Sequence, residues 1–430
     1  VLNSTPAAGA LTAHLTTKNR VVKKNASGGL TRKAQCRILR VITEAYMTMK
    51  ETLTLEIQTI AFGGHGVART GGLVVFVPFT APGDIAKIEI TARKKKYARG
   101  RLLEIVEPSR HRTQPVCRYY GQCGGCAYQH IDYESQLKIK QAQVRETFAR
   151  IGGVSTVEVR EVIGSPAAYA YRGKARLHAV CTGGEAKLGF MDVSGGEVTD
   201  IGRCEIVDES INEQIGLAKS IDGGSGLPDD LIFWSQPSGR SDDLISRFVQ
   251  GKEFSVPRDG FFQANLYLTD RLVDEAGVVL RQKERGTVMD ACCGAGLFSV
   301  LLASACRRMI GVEINEKSIA CARANAERHE ISNADFICGD LGSVVKSHDH
   351  RKDPIDLIIV DPPRTGLSAA ALEALGGAGI PDIVYISCNP ATQARDVHLL
   401  GEKGYVLASL QPLDMFPQTQ HIEVIALLRK

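Results

Sequence analysis

The sequence predicts a multidomain α/β protein. A small OB-like β-barrel comes first, then a central α+β region, then a C-terminal Rossmann-like domain with a doubly wound, mostly parallel sheet. Three observations predict this. Short strands crowd the stretch from Thr52 to Val106, with Gly or Pro between most of them. Cys117, Cys123 and Cys126 then fall close together in a stretch of mixed pattern. From Gly260 onward, strand-length apolar runs alternate with helical patterns, as βαβ units do. The length of 430 residues allows two or three domains. The expected division is 1–50, 51–110, 111–258 and 259–430.

Composition excludes some classes. With 44% hydrophobic and 23% charged residues the chain is ordinary globular. The net charge of +4 is mild, so any argument for nucleic acid rests on local basic patches. No apolar run approaches the ~18 residues of a membrane span, and no signal-peptide pattern opens the chain. The 12 cysteines cluster in a way that fits metal and catalytic use better than disulfides. A cytoplasmic monomer without membrane association is the expectation, and the sequons at Asn3 and Asn25 then carry no meaning.

Residues 1–50 are basic, rich in Ala, Thr and Asn, and without sustained period, which reads as disorder. Position 1 is Val, and Met47 and Met49 stand just before the first clear strand, so translation is expected to start near there. A basic RNA-grasping arm and an organelle transit peptide are the alternatives.

The barrel reading rests on strands at Thr52–Ile60, Leu73–Phe79, Ile85–Thr91 and Gly100–Val106, with turns at Gly63-Gly64-His65-Gly66 and Ala81-Pro82-Gly83-Asp84. Small barrels of this kind bind oligonucleotides on one face. Arg93 to Arg101 holds six cations and Tyr97 in nine residues, which favours phosphate contact over a merely solvated hairpin. This segment resembles a TRAM domain, an RNA-binding barrel appended to RNA-modifying enzymes.

Cys117-x5-Cys123-x2-Cys126 puts three soft ligands where they can converge on one metal centre. A fourth must come from elsewhere, and Cys204 is the choice. Cys181 closes a strand and reads as core. Zinc and an iron–sulfur cluster both fit four thiolates. A redox pair is the third reading, opposed by Cys117. A helix follows over Tyr133–Ile151, with Leu137, Val144, Phe148 and Ile151 on one face and Lys138, Lys140 and Arg145 elsewhere. Tyr169 to Arg176 mixes aromatics and cations. It reads equally as a base-stacking surface or as a strand with snorkelling cations. One further helix is expected over Glu205–Ala218.

In the C-terminal part, a helix is expected from Gly260 to about Leu280, followed by strands at Thr287–Ala291, Arg308–Glu313, Ala334–Cys338, Ile355–Val360, Ile383–Ile386, Tyr405–Leu410 and His421–Leu428. Helices are read from Leu297 and over Asn315–His329. Asp290-Ala-Cys292-Cys293-Gly294-Ala-Gly296 lies between a strand and a helix, where glycines let backbone approach a ligand. Glu313 ends the next strand, where an acid can hold ribose hydroxyls, and Asp340 ends the following unit. The turn has no third spaced Gly or phosphate-gripping Lys, so S-adenosylmethionine is preferred to NAD. Asp361-Pro-Pro-Arg364 is a stiffened loop that aims Asp361 into the crevice, or else a rigid capping turn. Ile383 to Ile386 is a buried strand that stops at Ser387-Cys388-Asn389-Pro390, so Cys388 sits at a strand's carboxyl end, where ligands gather. A small core cysteine is the ordinary alternative there.

From about Thr52 to the end, the chain resembles the RNA 5-methyluridine methyltransferases, in their cluster-containing ribosomal branch. The motifs that carry the resemblance are the Cys-x5-Cys-x2-Cys, Phe262-Gln263, Asp290-x-Cys-Cys-Gly-x-Gly, Asp361-Pro-Pro-Arg, Ser387-Cys388-Asn-Pro-Ala-Thr, and Asp414-Met-Phe-Pro-x3-His421-Ile-Glu423. The resemblance implies a 4Fe-4S cluster on Cys117, Cys123, Cys126 and Cys204. It implies cofactor contacts from Gln263, the position of Cys292, Glu313 and Asp361, with Asp340 near the adenine. Cys292 departs from the family, which usually has an aromatic there. The implied reaction is methyl transfer to carbon 5 of a uridine, with Cys388 as nucleophile and Glu423 as general base. The barrel and the cluster point to 23S ribosomal RNA as partner, with transfer RNA the alternative. Two rivals stand beside this reading. An amino-group methyltransferase would want an aromatic where Arg364 stands, and would need no thiol at Cys388. An RNA-binding iron–sulfur protein with an inactive methyltransferase fold would not need Cys388 or Glu423.

Overall fold

Alternation of apolar and exposed residues, as in Leu73-Val-Val-Phe-Val-Pro78, builds the first sheet, because successive side chains on a strand point to opposite faces. In the computed structural model, residues 51–182, 185–220, 226–235 and 243–430 are described. The reading of residues 1–50 lies outside them.

Six strands make the first sheet: β1 (Thr52–Glu56), β2 (Thr59–Ile60), β3 (His65–Thr70), β4 (Leu73–Pro78), β5 (Ile85–Arg93) and β6 (Tyr97–Glu107). Their order is β1-β5-β6-β4-β3-β2. The two edge strands are consecutive in the chain, so the sheet curls into the expected barrel around Ile57, Val75, Val77, Ile88 and Ala98. His65 opens a strand rather than sitting inside a turn; Gly63 and Gly64, both with left-handed φ, make the turn without it. The basic run is a hairpin end. Arg93 pairs with Glu51 and Arg101 with Glu89. Lys94, Lys95, Lys96 and Arg99 are exposed and have no acid partner among the described residues.

The helix α1 (Tyr133–Arg150) starts where Asp132 accepts the Ser135 amide, a side-chain cap. Then come β7 (Lys174–Thr182), β8 (Glu185–Met191), β9 (Val198–Asp200), α2 (Glu209–Ser220), β10 (Asp230–Trp234), β11 (Leu244–Val249) and β12 (Lys252–Pro257). The order β10-β7-β8-β9 forms one antiparallel sheet, and β11–β12 a hairpin. Within Tyr169 to Arg176, Tyr171 is fully buried, Arg176 pairs with Asp230, and Lys174 lies over the Trp234 ring, so these three are engaged within the fold. Cys181 is exposed rather than core.

The C-terminal sheet is built from β13 (Arg285–Ala291), β14 (Cys306–Glu313), β15 (Ala334–Cys338), β16 (Ile355–Val360), β17 (Asp382–Ser387), β18 (Val406–Leu413) and β19 (Glu423–Arg429). Around it stand α3 (Thr269–Gly277), α4 (Leu297–Leu301), α5 (Glu316–Arg328), α6 (Leu341–Ser347), α7 (Ala369–Ala378) and α8 (Pro390–Gly401). The order is β15-β14-β13-β16-β17-β19-β18; β13 to β17 run parallel and β19 runs antiparallel to both neighbours. The chain leaves β13 for one side of the sheet and later returns to the other. That creates a crevice at the carboxyl ends of β13 and β16. Two apolar layers cover the sheet, one around Phe254, Leu272 and Val288, the other around Met289, Ile358 and Tyr385.

The helix expected from Gly260 begins only at Thr269. Asn265 explains the delay. Its Oδ1 accepts the amides of Tyr267 and Leu268, and its Nδ2 donates to Ser165 and to the Met415 carbonyl. These bonds hold Gln263 in an irregular segment at the crevice, since a local side-chain bond competes with the helix ladder.

Candidate active site

The crevice collects the predicted residues along one edge of the sheet. At its first half, β13 ends in Ala291 and the chain turns through Cys292, whose φ is +63°. Gly296 follows with φ +84°, and a side chain there would come within 3.1 Å of the Ala322 methyl on α5. Only glycine combines that backbone with that closeness. The following helix, α4, is a short one of five residues. What the turn offers is therefore close backbone approach rather than a long helix end. Asp290 is buried beneath it. Burial pushes its carboxyl up to about 6, against hydrogen bonds from the Ser299 amide and hydroxyl.

Glu313, at the end of β14, accepts the Gly294 amide at 3.2 Å and the Asn315 amide at 2.9 Å. Asp340 caps α6 by accepting the Ser343 amide at 3.0 Å and hydroxyl at 3.1 Å. Cys292, Glu313 and Asp340 line a cleft of about 530 Å³, closed on the other side by Pro362, Pro363 and Leu372. Burial and then the Glu313 charge push the Cys292 thiol up to about 12, so it is a neutral wall of the cleft. The volume and a strand-end acid suit a nucleoside-sized ligand whose hydroxyls meet Glu313.

The second half lies on the far side of the Asp361-Pro-Pro loop. Gln263 donates from Nε2 to Asp361 Oδ2 at 3.1 Å. Desolvation, then the Asp290 charge, push Asp361 up to about 7, opposed by that hydrogen bond. Cys388 follows the last residue of β17. Asn389 caps α8 through its own side chain, and Pro390 occupies the first turn, where no donor is lost. Glu423 opens β19, and Val424 next to it is registered against Ser387. The register places Glu423 beside Cys388. Glu423 is buried, and no hydrogen-bond donor among the described residues reaches its carboxyl. Burial, then the Asp361 charge, hold it well above the usual carboxylate range, with Arg364 pulling the other way. Cys388 is pushed up to about 11, first by burial and then by the Glu423 charge.

Two functional groups escape the sequence argument. Arg364 serves there only to oppose an amino-group acceptor. In the structure its positive charge lies near the Cys388 sulfur and favours the thiolate. Its carbonyl is fixed by Asn389 Nδ2 at 3.0 Å and Thr392 Oγ1 at 3.1 Å. His421 meets Arg364 Nη2 at 3.3 Å, and burial keeps it neutral by lowering it to about 4. The Asp-Pro-Pro-Arg and His-Ile-Glu strings were the available signals.

Cys117, Cys123, Cys126 and Cys204, the four expected to hold a metal, share a second locality. Cys126 is pushed up to about 12 by burial and by the charges of Cys204, Cys123 and Cys117. Cys204 is pushed up to about 11, chiefly by burial, and feels Cys123. The loop is pinned by backbone bonds, Gly124 to Met191 and Cys117 to the Gln129 side chain. Four cysteines from two segments of the chain are the kind of donor set a thiolate-ligated metal centre uses. Their sulfurs are nonetheless not gathered at ligand distance: no group of three or more His, Cys, Asp or Glu among the described residues is arranged to hold a metal ion.

Comparison with known proteins agrees with the geometry. The family model "tRNA (Uracil-5-)-methyltransferase" matches residues 245–430, and the TRAM domain model matches residues 49–103. A protein of Clostridium acetobutylicum described as an uncharacterized RNA methyltransferase is 30% identical, over 90% of this chain and 99% of that protein. A counterpart from Thermosynechococcus vestitus is also 30% identical, over 88% of this chain and 98% of its own length. Among solved structures, the Pyrococcus abyssi tRNA (uracil-54, C5)-methyltransferase in complex with S-adenosyl-L-homocysteine superposes with a TM-score of 0.66 at 26% identity. The match covers 87% of this chain and 100% of that one.

Proposed function

The chain belongs to the RNA (uracil-5-)-methyltransferase family, and on that premise we propose that it methylates carbon 5 of one uridine in 23S ribosomal RNA through a covalent bond from Cys388. One observation carries this reading. A thiol and a buried carboxylate, neither suited to a structural role, are brought side by side by the antiparallel register of β19 on β17.

When bound in the cleft, S-adenosylmethionine supplies an electrophilic methyl group. Glu313 and Asp340 would hold its nucleoside, and Cys292 would pack against it. Cys388, as thiolate beside Arg364, adds to carbon 6 of the uracil. The S–C6 bond forms and the ring π pair makes carbon 5 nucleophilic. Carbon 5 then takes the methyl, and the C–S bond of the donor breaks with its pair on the departing thioether. Glu423 takes the proton from carbon 5; that C–H pair restores the ring double bond and expels the Cys388 thiolate. A carboxylate with raised proton affinity is the better base for this step. Gln263 and Asp361 would hold the uracil edge or the sulfonium end. A uracil inside a stem is out of reach of a thiol, so the base is flipped or already unpaired. The exposed Lys94, Lys95, Lys96 and Arg99 would meet phosphates.

Cys117, Cys123, Cys126 and Cys204 would hold a 4Fe-4S cluster, with zinc as the alternative. Methyl transfer needs no electron, so its contribution would be to tie the central loops together. Iron and sulfide analysis of anaerobically purified protein, and its loss in Cys126→Ser, checks this assignment.

Transfer RNA is a second reading, favoured by the family model and the Pyrococcus structure, both named for tRNA. Trapping separates the two. Fluorine at carbon 5 blocks proton removal, so RNA containing 5-fluorouridine should accumulate a methylated, denaturation-resistant protein–RNA adduct that Cys388→Ala abolishes. An adduct with 23S RNA alone supports the proposal, and one with transfer RNA alone moves the substrate. No adduct with either, from protein that still binds S-adenosylhomocysteine, rejects the thiolate mechanism.

A further inference from the structure

The segment between β18 and β19, Asp414 to Ile422, runs into Glu423 and is mostly buried, with Gln420 exposed. It makes no regular structure of its own, and Gln418 adopts a left-handed φ of +68°, unfavourable for a residue with a side chain. Something outside it must fix its shape. Helix α1, 274 residues earlier in the chain at its key contact, does so with one face. Lys140 Nζ meets Asp414 Oδ1 at 2.6 Å, with both side chains fully buried, and also donates to the Phe416 carbonyl at 3.1 Å. One turn earlier, Gln136 reads the strained residue twice: its Nε2 donates to Gln418 Oε1 at 2.9 Å, and its Oε1 accepts the Gln418 amide at 3.2 Å. The Gln418 carbonyl accepts the amides of Ala127 and Tyr128, and the Pro417 carbonyl accepts the Tyr171 hydroxyl.

A fully buried Lys–Asp pair is a poor way to gain stability, since desolvation offsets most of the attraction and apolar replacements of both partners are often neutral or better. What such a pair supplies is a specified geometry. The geometry points to Lys140 and Gln136 as positioning residues of the methyl-transfer site: they lock the 414–421 segment so that Glu423 faces the carbon-5 proton. This inference rests on the proposed roles of Cys388 and Glu423.

The test is a double variant, Lys140→Met with Asp414→Leu, which keeps the packing and removes the lock, beside Gln136→Leu, which removes only the amide pair. Thermal unfolding and S-adenosylhomocysteine affinity report folding. Turnover on unmodified substrate RNA, and the fraction of protein in covalent adduct with that RNA, report the base. If the lock sets Glu423, kcat falls about 10- to 100-fold while KM for RNA holds. Methylated adduct then builds up on natural uridine, because the final proton removal has become slow. A purely structural role would instead lower melting temperature and cofactor affinity and leave no adduct. Wild-type kcat without adduct in a folded variant overturns the inference. If the double variant does not fold, Gln136→Leu decides alone by the same two readouts. Failure of the wild-type enzyme to trap 5-fluorouridine RNA overturns the underlying reading, a result separate from these.

Discussion

Two pairs of carboxylates stand along one edge of the same sheet, and they are treated in opposite ways. Glu313 and Asp340, on the β14–β15 side, each receive two short hydrogen bonds from nearby groups and border a cleft open to solvent. Asp361 and Glu423, on the β16–β19 side, are desolvated; the Asp290 charge reaches Asp361, and the Asp361 charge reaches Glu423. Among the described residues, Gln263 alone donates to the Asp361 carboxyl and no donor reaches Glu423. The first pair is held in place by its donors and set to hold something still. The second is built to make a negative charge uncomfortable, so that taking up a proton is favourable. Burial and donor supply, rather than residue type, separate a binding acid from a basic one.

The strongest way to break this comparison is to neutralise one acid from each side. Glu423→Gln should cut turnover about 10²- to 10⁴-fold, the range a general base contributes. It should still permit one methyl transfer, so methylated adduct persists on ordinary RNA. Rapid-quench analysis of a single turnover, with denaturing gels, reads both quantities. Full turnover in Glu423→Gln would remove the distinction between the two pairs.

How much of this was legible in the sequence depends on whether the cause is local. Ile355–Val360 and Ala334–Cys338 are strands over the residues that the pattern assigns, because a short apolar run between polar turns has few other fates. Asn315, four residues before a periodic run, caps its helix as its side chain dictates. Nonlocal causes were invisible. The helix expected from Gly260 is delayed by Asn265 bonding to Met415, far along the chain. Lys140 reads as a polar-face cation, yet it is fully buried against Asp414. Glu423 is named as general base only through the resemblance; its burial comes from the antiparallel return of β19 between β17 and β18, which no local pattern announces. The four cysteines were picked out by spacing and resemblance alone, and among the described residues no group of three or more His, Cys, Asp or Glu is arranged to hold a metal ion.

The smaller effect belongs to the binding pair. Glu313→Gln keeps the shape, and removes the charge that strengthens the two amide bonds and would meet ribose hydroxyls. Affinity for S-adenosylhomocysteine should fall about tenfold, the equivalent of ~1.5 kcal/mol for a hydrogen bond to a charged group. kcat at saturating cofactor should stay near that of the parent. Isothermal titration and steady-state kinetics measure the two. A large loss of kcat with unchanged affinity would place Glu313 with the reacting acids.

The last effect is the finest, and it tests the electrostatics without RNA or cofactor. Only the thiolate of Cys388 reacts with iodoacetamide. The thiol is pushed up to about 11, first by burial and then by the Glu423 charge, with Arg364 opposing. Burial and the Asp361 charge raise the proton affinity of Glu423 above the ordinary carboxylate range. In the acidic part of the profile Glu423 carries no charge, so the parent and Glu423→Gln should label alike. As pH rises through the raised Glu423 value, the parent acquires a negative neighbour that resists thiolate formation, and the variant does not. Its alkaline limb should therefore lie at lower pH, by about one unit or tenfold in rate at a fixed alkaline pH. Arg364→Leu removes the favourable charge and should move the limb the other way. Peptide mapping separates the labelling rate of Cys388 from that of the other free cysteines, the exposed Cys181 and Cys338 among them. A Glu423→Gln limb that stays with the parent, or moves to higher pH, would mean that the carboxylate does not act on the sulfur, and the pairing of β19 with β17 would lose its chemical meaning.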